Sequence, residues 1–127
     1  MVGRVWGKEW ALTTTMHNGL YSIHVDMLDG HEGRGSGVLV FHDGRIFGGD
    51  AMLYYVGSYA VKDLTVKGEV IVNQHTRVPG TIPLFGGAET SIGFSGQFDE
   101  RGGKVTGSAF VGKTTQLFSA TLRKLAE

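Results

Sequence analysis

Cysteine is absent from the 127 residues. Its absence excludes disulfides, Cys-ligated zinc, iron–sulfur clusters and thiol nucleophiles. Charge of one sign is missing too, because 12 basic side chains face 12 acidic ones and neither half of the chain concentrates either kind. A nucleic-acid footprint needs a phosphate-neutralising excess, so direct nucleic-acid binding is not expected. No long hydrophobic run exists either. The longest apolar-rich stretch, Ala51 to Val61, is interrupted by Gly57 and Ser58 and is too short for a spanning helix. Residues Met1 to Leu12 do not make a signal peptide, since Lys8 and Glu9 break any apolar segment there. No membrane partner is expected, and a cytoplasmic protein is the default reading.

Proline occurs only twice, whereas glycine occurs 21 times, more than twice its usual share of ~7%. Glycine weakens helix interiors by about 1 kcal/mol relative to alanine, but it suits hairpin turns, bulges and sheet bends. A chain of this length is one domain that buries roughly two-thirds of its unfolded surface.

Period-two alternation recurs along the chain and helical periodicity hardly appears. Tyr21, Ile23, Val25 and Met27 share one strand face, with Ser22, His24 and Asp26 on the other. After the charged turn Asp29 to Gly33, the apolar run Gly37 to Phe41 ends at His42-Asp43-Gly44. Asp-Gly between β-rich runs predicts a tight hairpin, with positive φ at both central residues. Arg45-Ile46-Phe47 returns, Gly48-Gly49-Asp50 breaks that strand, and Met52 to Tyr59 forms the next. Val61 to Leu64 reads as a turn, followed by Thr65 to Gln74 with Val66, Val70 and Val72 on one face. His75 to Ala88 carries both prolines and is the longest loop. Three further strands centre on Ile92–Phe98, Val105–Val111 and Phe118–Leu122.

About eight short antiparallel strands in series, each apolar on one face, favour an up-and-down, calycin- or lipocalin-like barrel, because closure removes exposed edges. The expected domains are an N-terminal extension, residues 1–18, and a single barrel over 19–127. In the extension Trp6 and Trp10 suit one helical face, while Gly3, Gly7 and Thr13 to Thr15 oppose a helix. Met16 directly precedes the first strand and is a candidate start of the native product.

Three blocks carry a family resemblance: Asn18-Gly19-Leu20-Tyr21-Ser22-Ile23, then Gly44-Arg45-Ile46-Phe47-Gly48-Gly49-Asp50 with Tyr54-Tyr55-Val56-Gly57, and Gln116 to Leu122. Over roughly residues 17–126 the chain resembles the GrlR-like family, named after a negative regulator of type III secretion gene expression. The resemblance implies an eight-stranded calycin-like barrel that dimerises. It also implies a regulator that acts by protein–protein contact, as the characterised member does on a transcriptional activator. That member uses an acidic surface turn. Here the corresponding turn is Val61-Lys62-Asp63-Leu64, with one acid and one base, so no residue inherits that specific contact.

Catalytic spacing is lacking. His24-x-Asp26 places two ligand-type side chains on one strand face, but no zinc motif accompanies them. Gly35-Ser36-Gly37 is a shortened echo of a nucleophile elbow. Gly33-x-Gly35-x-Gly37 lacks the helix and lysine of a phosphate loop. The reading is a non-enzyme with no cofactor and no metal site.

Asp50, with Gly48 and Gly49, is the candidate site. Its carboxylate either bonds nearby N–H groups to hold a turn or orients a ligand at the barrel mouth. Met52, Tyr54, Tyr55 and Val56 form a candidate dimer or cavity face, and Tyr54 and Tyr55 must point to opposite sides of a regular strand. Two functions follow: a dimeric regulatory barrel that recognises a protein partner, or a barrel that binds a small apolar ligand inside.

Overall fold

The computed structural model of the chain describes residues 18–28 and 34–127. The readings of Trp6, Trp10 and Met16, and of the Asp29–Gly33 turn, lie outside the described residues. Alternation of apolar and polar side chains produces eight strands: β1 (Gly19–Met27), β2 (Arg34–His42), β3 (Arg45–Gly49), β4 (Leu53–Lys62), β5 (Thr65–Gln74), β6 (Thr90–Asp99), β7 (Gly102–Val111) and β8 (Thr114–Ala126). Each pairs antiparallel with the next, and β8 pairs with β1 to close the barrel. The up-and-down barrel expected from the sequence is the fold. No helix among the described residues is long and apolar enough to cross a membrane.

Turn chemistry sets the hairpins at one end. Asp43 and Gly44 have φ of 48° and 86°, the pair of positive angles that matches the right-handed twist of the flanking strands. Asn18 clamps this hairpin to the start of β1, donating to the Asp43 carboxylate at 2.9 Å and accepting the Asp43 N–H at 3.0 Å. The next hairpin turns on Asp63 and Leu64 alone. Val61 and Lys62 belong to β4, paired with Val66 and Thr65. Glu100 and Arg101 turn β6 into β7.

Two strand boundaries differ from the apolar pattern. Gly48 and Gly49 do not break β3; they pair with Leu39 and Val38 on one side and Tyr55 and Tyr54 on the other. A Cβ on Gly48 would lie 2.2 Å from the Val38 carbonyl oxygen, so the close approach of β2 demands glycine there. Strand β8 is 13 residues long and outruns its apolar centre. Its N-terminal end pairs with β7 and its C-terminal end with β1, and the ladder requires no apolar side chain.

Inward-facing side chains fill the barrel unevenly. At the end holding the Asp43–Gly44 turn, Phe41 packs edge-on against Tyr21, Tyr59 and Phe98 at centroid distances of 5.3, 5.0 and 6.0 Å. Burial foremost, with the nearby Tyr59 and Glu127 groups, pushes the Tyr21 phenol up to about 12. The opposite end mixes aliphatic side chains with the rings of Tyr55, Phe94 and Phe118, and is covered by the 75–89 loop, where a short 3-10 turn, Leu84–Gly87, lies over the opening.

Candidate functional site

Asp50 stands between β3 and β4 at the covered end, and the chain folds tightly around its carboxylate. Met52 and Leu53 donate their backbone N–H groups to Oδ1, each at 2.8 Å. The Tyr55 hydroxyl donates to Oδ2 at 2.6 Å. The Asp50 N–H in turn donates to the Leu53 carbonyl at 2.9 Å. A short acidic side chain followed by two free N–H groups is the usual recipe for such a turn. His75 joins from the long loop, with Nε2 3.0 Å from the Asp50 carbonyl oxygen and Nδ1 2.6 Å from Thr76 Oγ1. The His75 and Thr76 N–H groups both reach the Met52 carbonyl, at 2.8 and 3.2 Å. One turn thus ties β3, β4 and the loop together.

The electrostatics follow from these contacts. Burial pushes the Asp50 carboxyl up, but the Tyr55 hydroxyl, the Leu53 and Met52 N–H groups and His75 outweigh it and hold the group below its ordinary value of 3.8. Burial, the hydrogen bond to Asp50 and the carboxylate charge all raise the Tyr55 phenol well above a free tyrosine. The pair is therefore a carboxylate with a firmly protonated partner. It accepts and positions hydrogen bonds, and neither group is poised to exchange protons near neutral pH.

Asp50→Asn removes the negative acceptor while keeping the side chain's shape. At neutral pH it is expected to cost about 1 kcal/mol, the lower range for a charge-assisted bond at a partly solvated rim. The sign with pH is fixed by the lowered carboxyl value. The stabilisation is full above the ordinary carboxylate range and is lost as pH falls through the lower folded value. Urea midpoints of the two proteins should converge in acid, and a gap that stays constant down to acid pH would deny the carboxylate this role.

The structure separates the four residues read as one dimer or cavity face. Tyr55 points inward and lines the hollow end of the barrel. Tyr54 and Val56 point outward, 42% and 39% exposed, and Met52 is half-buried in the Asp50 turn rather than in a strand. Phe41 and Tyr59 are inside, whereas Phe47 is outside. His24 and Asp26 lie on the outer face of β1. Among the described residues, no three His, Asp or Glu side chains converge in the manner of a metal site.

Two features escaped the sequence reading. Gly35 and Gly37 face inward on β2: Leu84 sits 3.0 Å from where a Gly35 Cβ would lie, and the Tyr55 hydroxyl 3.2 Å from that of Gly37. Their alternate spacing makes room for a loop side chain and a rim tyrosine. The second feature is an outward row. Cross-strand register places Val40 opposite Phe47, Phe47 opposite Val56, and Val56 opposite Ile71. All four are between 38% and 46% exposed, and the Arg45 guanidinium sits 5.1 Å from the Phe47 ring centroid. Apolar residues at outward positions were the available signal, but only the register shows them in line. No family model matches the chain, and no curated protein matches it.

Proposed function

We propose that the protein is a non-enzymatic regulatory barrel of the GrlR-like kind, acting by protein–protein contact in the manner of a negative regulator that holds a transcriptional activator. The observation that carries the contact surface is the row Val40, Phe47, Val56 and Ile71 across β2 to β5. Val38 and Tyr54 widen it on one side. Contiguous exposed apolar side chains with a polar border mark interaction surfaces. The resemblance supports the regulatory role. A chain without cysteine that acts on a transcriptional regulator belongs, on this reading, in the cytoplasm.

The first occupant of the face is a second copy. A two-fold axis along β4 lays β3 of one protomer over β5 of the other, as an isologous interface requires. Arg45, Ser58 and Glu69 form the neighbouring cross-strand row, so that axis brings each Arg45 opposite the other protomer's Glu69. It also sets Val56 against Val56 at the centre. Val56→Lys places two cations there and is expected to convert a dimer into monomers in sedimentation equilibrium. A dimer that persists in the variant, or a wild-type chain that is monomeric throughout, would refute this face as the homodimer surface.

A further inference from the structure

The outward row on β2 to β5 runs one strand further. Leu20 pairs with Val40, and it faces outward because Tyr21 beside it is inside the barrel. Leu20, Val40, Phe47, Val56 and Ile71 therefore form one apolar line over five adjacent strands. At about 4.8 Å per strand the line is roughly 19 Å long. Asn18, two residues before Leu20, is clamped to Asp43 at the β2–β3 turn. The chain that precedes Asn18 therefore leaves the barrel beside this row.

That preceding chain, residues 1–17, lies outside the described residues, and its sequence carries the only two tryptophans, Trp6 and Trp10. Trp10 is eight residues from Asn18 and Trp6 is twelve, which allows spans of up to about 28 and 42 Å. Both exceed the length of the row, so both indoles can reach any point on it. Area matches as well. Two indoles bury roughly 300–500 Å², about the size of the largest apolar patch that a monomer usually exposes. The barrel is closed, so no strand edge is open to added pairing, and the outer face captures side chains instead. On the other flank of β1, past Leu125, the outward side chains are Thr121, Arg123 and Lys104, which make no comparable apolar bed.

We propose that residues 1–17 fold back across this row, seat Trp6 and Trp10 on it, and cover it until a second copy takes their place. The inference rests on the reading of the row as a contact surface and adds its regulation. Tryptophan is the side chain that most often anchors such a contact. A segment tethered this closely presents itself at an effective concentration on the order of mM, so it holds the face against a second copy in dilute solution. Both protomers must uncover before they pair. A cover in place about two-thirds of the time thus weakens dimerisation roughly tenfold, and the dimer still forms at higher concentration.

Because the chain has no other tryptophan, its indole fluorescence reads the segment alone. In the full chain, diluted until sedimentation shows monomers, the emission should be blue-shifted and protected from acrylamide. Val56→Lys should shift it to the red and remove the protection. Should that variant fail to fold, Ile71→Lys, at the far end of the row, is expected to do the same. The double variant Trp6→Ser with Trp10→Ser should dimerise roughly tenfold more tightly than the wild type. Indoles open to acrylamide in the wild type, protection that survives both lysine variants, or an unchanged dimer affinity without the indoles would each overturn the cover. Protected indoles released by lysine, in a chain whose Trp-free variant stays monomeric at every concentration, would support the docking and remove the second copy as the occupant.

Discussion

Phe41→Ala is expected to lower the unfolding free energy by about 4 kcal/mol, the cost of emptying a large buried aromatic site that cannot collapse. The residue is 1% exposed and stands at the centre of the packed end, with three aromatic rings edge-on around it. Those partners are anchored in β1, β4 and β6, on different sides of a closed barrel, and the closed ladder stops them from moving into the gap. Domains of this size have only about 5–15 kcal/mol in total, so the variant should unfold at a much lower urea concentration with an unchanged slope. A second signature is available. Burial leads the effects that push the Tyr21 phenol up to about 12, and water admitted beside it should bring that value back toward the ordinary one. A loss under about 1 kcal/mol with Tyr21 unchanged would mean that this end is not a rigid core.

The parts of this fold that can be read from sequence are those set by neighbours along the chain. Tyr21, Ile23, Val25 and Met27 alternate because the strand pleat alternates, and they all face inward. Asp43-Gly44 announces its own hairpin through backbone angles that few other residues adopt. What is not local is not legible. Gly48 and Gly49 look like a break and turn out to be paired strand, since the reason for them is the nearness of β2 at Gly48 and of β4 at Gly49 rather than a turn. Phe85 and Ile82 are both apolar residues in one loop, yet Ile82 is 86% exposed and Phe85 is buried; nothing in their immediate sequence distinguishes plug from surface. At Asp50 the local part was readable, because a short carboxylate two residues before free N–H groups folds back on them. The Tyr55 and His75 contacts required the barrel to bring β4 and the long loop to the same rim.

Gly57→Ala and Gly93→Ala make the same chemical change in the same sheet, and opposite results are expected. Gly57 lies in the middle of β4, opposite Ile46 on β3 and Val70 on β5. A Cβ there would stand 2.0 Å from the Glu69 carbonyl oxygen and 2.9 Å from the Val70 Cα. Both obstacles are backbone, and the strand that carries them is held by ladders on its two sides, so no side-chain rotation relieves the contact. Accommodating one methyl group means prising β4 from β5 where the barrel bends most closely, and the expected cost is about 3 kcal/mol or more. Gly93 faces outward on β6, and a Cβ there meets nothing within 4 Å. Its backbone is not in the left-handed region, so alanine is tolerated, and the stiffer unfolded chain should stabilise the protein by about 0.5 kcal/mol. The difference between the two midpoints, measured in one buffer, isolates the bend from the intrinsic preference of alanine over glycine, which is common to both. Similar midpoints for the two variants would mean that β4 and β5 have slack at Gly57 and that the barrel does not depend on glycine to close there.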